Sequence, residues 1–410
     1  MFLFSALTQT QSRGLRTLRC TVLFAVTTAI LGTVAGCPVT SLPSASISGQ
    51  AARLAAEDPV ADGAAPPELT ERQRVAQRID AVLDANLRNR RLSTDVHAAW
   101  QIMHGVLAYG PAFKVQSGGR EVSALELVLR GGPINGLELR SGDRFSPQGE
   151  PASLSGNEAS DVELGPTLTR GIRVEVDPGS KRGQGHRDQW VAYMVSCSLP
   201  IDQVFQTIDG PRRLDLWLRQ MEWDVPMNFE REYSWTLMSL LPYRATTHRW
   251  TARDGKDYSI ESLLRSEIDQ LSPDSACGGS HRLTAIATAV NKRKAEGAPL
   301  TGVWDDAQSL VDMAILQAFD LQNADGSFSS EYFEREGWSI DVAGAIGTTG
   351  HTLEFIATGG SDEQLSSEET RLAVNCLCRM LEQTSQVDLE CGALYHALSG
   401  LQRYRKRLAR

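Results

Sequence analysis

Six short segments of this sequence place a polar or aromatic group among small residues where a helix would open. They are Val96-His97-Ala98-Ala99-Trp100, Gly185-His186-Arg187-Asp188-Gln189-Trp190, Glu232-Tyr233-Ser234-Trp235, Gly278-Gly279-Ser280-His281, Gly350-His351-Thr352-Leu353 and Cys391-Gly392-Ala393-Leu394-Tyr395-His396. The candidate ligand-binding residues among them are His97, His186, His281, His351, Tyr395 and His396. Imidazoles titrate near neutrality and serve as general acid or base. If the openings gather at one mouth, the positive ends of the helix dipoles add there, with Arg187 and Arg282 alongside, and favour an anionic or strongly hydrogen-bonding ligand. A histidine in the first turn of a buried helix also bonds a loop carbonyl and fixes register, so the same recurrence fits an architectural role. Which residues would be catalytic stays open.

Other chemistries find less support. Cys277 and His281 lie four apart and share a helix face only if the helix starts early, with His351 left to complete three ligands. No close Cys-x-x-Cys pair accompanies them, so no metal is expected. Gly183-Gln184-Gly185-His186 lacks the third glycine and the preceding strand of a dinucleotide fingerprint, and neither a phosphate loop nor a serine elbow occurs; no cofactor is expected. Cys197, Cys277, Cys376, Cys378 and Cys391 are odd in number and read as small apolar residues.

The elements that must position these residues read as helices. Thr70 with Gln73 forms a capping box ahead of an apolar stripe at Val75, Ile79, Val82, Leu83 and Leu87. Ser93 or Thr94 is expected to start the next helix, and further helices are expected at about 186–197, 203–222, 232–242, 259–271, 278–294, 303–322, 348–358, 366–384 and 391–408. Helices opening with the six segments alternate with amphipathic ones such as 71–89 and 366–383, which predicts an inner and an outer set in about six hairpins, an all-α fold. The outer partner of the second hairpin is the short segment Ser123 to Arg130. A Gly-rich insertion over about 131–185 interrupts the pattern, with strands expected at Leu137-Glu138-Leu139 and from Ile172 to Val176.

The first 36 residues have the order of an export signal: Arg13, Arg16 and Arg19, an uncharged run from Cys20 to Val34, then Ala35-Gly36. Residues 37–69, with five prolines among Ser, Ala and Gly, read as a tether, and the folded domain is expected over 70–410. A net charge of -9 argues against nucleic acid as a partner. The basic end, Arg403 to Arg410, reads as a solvated final helix turn.

Val34-Ala35-Gly36-Cys37 resembles the lipobox of bacterial lipoproteins. That resemblance implies cleavage before Cys37, lipidation of its thiol, and a lipid-anchored place in the cell envelope, at the outer membrane or periplasmic face of a Gram-negative cell. The run Leu321-Gln322-Asn323-Ala324-Asp325-Gly326-Ser327-Phe328, with the openings at Gly278 and Gly350, resembles the α/α-toroid superfamily of terpenoid cyclases and protein prenyltransferases. The resemblance implies architecture, because the catalytic Asp-x-Asp-Asp run is absent and the Asp-Cys-His zinc set of the prenyltransferases finds no full match. Asp305-Asp306 followed by Asp312 suits the start of an outer helix. The functional expectation is a membrane-anchored lipoprotein whose toroid binds a glycan or an envelope protein. The alternative is a glycan-active lyase or hydrolase using the histidines, with a terpenoid-cyclase-like enzyme third.

Overall fold

Thr70 opens α1 (Glu71–Asn89) through the expected reciprocal capping box with Gln73, and Val75, Ile79 and Val82 form its buried stripe. The structure, a computed structural model, describes residues 69–145, 170–228 and 232–409. The signal segment, Cys37 and the tether lie outside these residues, as does part of the 131–185 insertion. Thirteen α-helices and nine short strands occur among the described residues, so the chain is mostly helical. None of those helices is long and apolar enough to cross a membrane.

In chain order the helices after α1 are α2 (Ala99–Tyr109), α3 (Ala124–Leu129), α4 (Gln189–Val195), α5 (Leu214–Asp224), α6 (Ser234–Leu240) and α7 (Ile260–Asp269). They continue with α8 (Ser280–Ala295), α9 (Val303–Asp320), α10 (Val342–Gly359), the short α11 (Asp362–Ser366), α12 (Glu368–Gln383) and α13 (Cys391–Leu408). Helices α2, α4, α6, α8, α10 and α13 each pack on the next, and α13 packs back on α2, so their contacts close into a circuit. Apolar surface all round suits enclosure, and every residue of α4 is buried. The amphipathic helices lie against this set: α3 on α2, α5 on α6, α7 on α6 and α8, α9 on α8 and α10, α12 on α10 and α1, and α1 on α13.

Three β-hairpins precede outer helices. Strands β2 (Lys114–Ser117) and β3 (Arg120–Ser123) lead into α3, β6 (Val204–Thr207) and β7 (Gly210–Arg213) into α5, and β8 (Arg249–Thr251) and β9 (Asp257–Ser259) into α7. The helix expected over 203–222 therefore begins only at Leu214, because Gly210 at φ 103° and Pro211 hold the chain in a strand turn. The helix expected from Ser93 or Thr94 begins at Ala99, because β1 (Leu92–Ser93) pairs in parallel with Val115 and Gln116. In the insertion, β4 (Leu139–Arg144) and β5 (Arg170–Val174) pair antiparallel close to the expected strands. Helix α10 starts earlier than expected, capped by the Asp341 carboxylate accepting from the Ala343 and Gly344 N–H groups.

The closest approach in the circuit joins α10 to α13. A Cβ on Gly350 would stand 2.5 Å from Ala397 Cα, so two backbones meet with no side chain between them. The turn at 321–328 has Gly326 at φ 89° and Phe328 buried beneath it, with the Phe328 N–H on Thr349 Oγ1 of α10.

Candidate functional site

Five of the seven histidines meet where the inner helices come together. His104 on α2 lies 5.4 Å from His396 on α13, which stacks on His351 of α10 at 4.1 Å between ring centroids. His351 lies 5.4 Å from His281 on α8, and His281 lies 6.1 Å from His186, just ahead of α4. The seam at Gly350 sets the tight His351–His396 spacing, since side chains on backbones this close have nowhere else to go. His104, His281, His351 and His396 are buried, whereas His186 is half-buried.

Two of these rings are tied into hydrogen-bond chains. Gln189 Nε2 donates to the Tyr193 hydroxyl at 3.0 Å, Tyr193 donates to His104 Nε2 at 3.3 Å, and His104 Nδ1 donates to the Trp100 carbonyl at 2.6 Å. Burial holds the His104 pKa down at about 4, so this ring is neutral. His396 Nδ1 pairs with Glu354 at 2.7 Å; Ser399 Oγ donates to the other carboxylate oxygen at 2.7 Å, and Arg403 lies 3.2 Å away. Burial would raise the Glu354 pKa, but His396 and Arg403 outweigh it and hold it well below the carboxylate range. Arg403, expected in a solvated basic end, thus backs the cluster.

The other half of the cluster is less complete. His281 Nδ1 stands 3.4 Å from Glu232 Oε1, and His186 Nδ1 stands 3.7 Å from the same atom. Neither ring nitrogen of His281 makes a hydrogen bond of normal geometry among the described residues, although the residue is buried. The Cys277 sulfur and one nitrogen each from His281 and His351 lie within 4.8 Å of one another. Burial alone would lower the His281 pKa, yet Cys277 and Glu232 raise it well above its usual value. Burial likewise would raise the Cys277 thiol, and His351 with His281 bring it well below its usual value.

The backbone here is strained. Cys277, Gly278 and Gly279 follow one another in left-handed conformation, with φ of 50°, 62° and 82°. Gly278 leaves no room for a Cβ beneath the Tyr332 ring, and Tyr332 is itself left-handed at φ 54°. A third non-glycine residue in left-handed conformation, Asp188, lies two positions after His186. Such strain collects where surrounding structure holds a site in one geometry.

Of the six sequence candidates, His186, His281, His351 and His396 are in the cluster. His97 instead accepts the Ser93 N–H through Nδ1 at 3.0 Å. Tyr395 is buried against Tyr109 and Phe113, and with His97 lines a separate pocket of about 240 Å³. Arg187 reaches the Met227 carbonyl and Arg282 pairs with Glu267. Sequence reading missed His104, Glu232 and Glu354. The signal for Glu354 and His104 is a titratable group inside an apolar run, Leu353-Glu354-Phe355-Ile356 and Ile102-Met103-His104. Comparison of the chain with protein-family models, with curated proteins and with solved structures finds no match.

Proposed function

We propose that this chain is an envelope lipoprotein, anchored through Cys37, whose helical domain is an α/α toroid with an acid–base catalytic centre at the histidine cluster. Its activity is read as hydrolysis or elimination on a polar envelope ligand such as a glycan terminus. The closed circuit of inner helices, with amphipathic helices outside it, supports the toroid. The lipobox and the signal before it support the anchor.

The observation that carries the catalytic reading is His281, a buried imidazole between a carboxylate and a thiol with both ring nitrogens unsatisfied. His104 and His396, by contrast, are each held by a hydrogen bond of normal geometry. Cys277 and His186, both half-buried, are the members of the cluster nearest solvent. There Glu232 orients His281 as the acid, and His186, across the same carboxylate, serves as the base.

The test is turnover by the full chain on a panel of peptidoglycan fragments and uronate-containing polysaccharides, read as new reducing ends and unsaturated products. Glu232→Gln and His186→Gln are expected to lower turnover by about 10²-fold or more with the fold intact. A glycan that binds but is never converted, or variants as active as the parent, would return the domain to the binding reading. Labelled fatty acid entering the parent and not Cys37→Ser tests the anchor.

A further inference from the structure

We infer that Cys277, His281 and His351 bind one zinc-class divalent ion, leaving a coordination position open toward the half-buried rim. The inference deepens the acid–base reading and rests on it for its chemistry, but its geometry stands alone.

The donor set is the first argument. One thiolate sulfur and two imidazole nitrogens are ligands that select zinc and its neighbours over calcium or magnesium, which prefer oxygen. These three atoms already lie within 4.8 Å of one another. Tetrahedral arms of about 2.0–2.3 Å require ligand atoms roughly 3.5 Å apart. Small side-chain rotations about the ion close that gap.

The second argument is what each ligand does with its remaining atom. His351 Nδ1 stands 2.8 Å from the Gly347 carbonyl, which only accepts, so Nδ1 carries the proton and Nε2 keeps its lone pair. His281 turns Nδ1 toward Glu232 at 3.4 Å. A backbone carbonyl behind one imidazole and a carboxylate behind the other is the outer shell that orients metal-bound histidines. A ring with neither nitrogen bonded, buried to more than nine-tenths, then has its explanation: it is aimed at an ion. The left-handed run through Cys277 turns the thiol toward the two rings and gives the strain a purpose.

A second set, His186, Glu232 and His281, also lies within 4.8 Å. It shares His281 and would take Glu232 away from its place behind that ring, so the sulfur-containing set is favoured. Three protein ligands leave a fourth position for water, the arrangement of catalytic rather than structural zinc. With an ion bound, His281 would be a ligand rather than the acid, and the metal-bound water would take over that role by supplying hydroxide near neutrality, with His186 left to handle the proton.

The test uses the full-length chain, stripped with a chelator and titrated with Co²⁺ and with Zn²⁺ alone. Expected are one equivalent bound, a thiolate-to-cobalt charge-transfer band, a rise in melting temperature with Zn²⁺, and protection of Cys277 from alkylation. Cys277→Ser should abolish the band. Glu232→Gln should weaken binding by about 10–100-fold without removing the band. A bound cobalt with no thiolate band in the parent overturns the assignment in favour of the carboxylate-containing set. No binding, with Cys277 alkylated equally with and without Zn²⁺, overturns it in favour of a thiol nucleophile served by His281. The two readings separate cleanly: undiminished turnover by the stripped protein defeats the metal and leaves the acid–base centre, whereas tight metal binding with no turnover does the reverse.

Discussion

His281 and Arg282 are neighbours on α8, yet they face two buried polar sites built in opposite ways. Arg282 donates to Glu267 at 2.6 Å; the same carboxylate accepts the Tyr233 N–H at 2.8 Å and the Ser234 hydroxyl at 2.5 Å. Both oxygens of this fully buried carboxylate are therefore engaged. His281, one residue earlier, has a carboxylate and a thiol nearby but no hydrogen bond of normal geometry. Burial is shared, so burial does not separate structure from function here. Hydrogen bonding of the carboxylate does: Glu267, engaged on both oxygens, joins α6, α7 and α8, whereas Glu232 Oε1 and His281 meet without a hydrogen bond of normal geometry.

The comparison is sharpened first by removing the Glu267 carboxylate. Glu267→Leu removes the counter-charge that Arg282 pairs with and is expected to cost about 3–5 kcal/mol in chemical denaturation. Next, Gly350→Ala forces a methyl against the backbone of α13 and is expected to cost about 1–3 kcal/mol by the same measurement while moving His351 away from His396.

A third test is pH. His104 is buried neutral with its pKa lowered from 6.5 to about 4, so its contribution is fully present above 6.5 and is lost as pH falls toward 4. Stability should fall across that window by up to about 1.4 kcal/mol per pH unit from this one group, and His104→Gln should flatten the slope in denaturation at several pH values. Last, His281→Gln is expected to abolish turnover and to cost less stability than Glu267→Leu, because the pair it breaks is longer and lacks hydrogen bonds of normal geometry. A loss as large as that from Glu267→Leu would erase the distinction between the two sites.

How much of this was legible follows from range. The Cys277–His281 spacing and the small residues around Gly350 are local and could be read. That His351 lies beside them, 70 residues on, depends on how α8 and α10 pack, which periodicity does not encode. His104 sits mid-helix, where the search for helix openings did not look. The hairpins were missed although Gly118-Gly119, Asp209-Gly210 and Asp254-Gly255 are each followed within a few residues by an outer helix. That turn-then-helix spacing was the clearer repeat, and at 203–213 apolar residues running through the strands disguised it as longer helix.

The closure of the circuit bears on how the chain is made. Helix α1 packs on α12 and α13, with Glu71 on Arg371 at 2.7 Å and Asp80 on Arg405 at 3.0 Å, contacts separated by about 300 residues of sequence. Pairings of such long range incur the loop-closure entropy before they return any contact, so they form late. A chain still emerging from the ribosome lacks α13 and cannot close the circuit. The fold thus postpones its own completion until the last helix emerges.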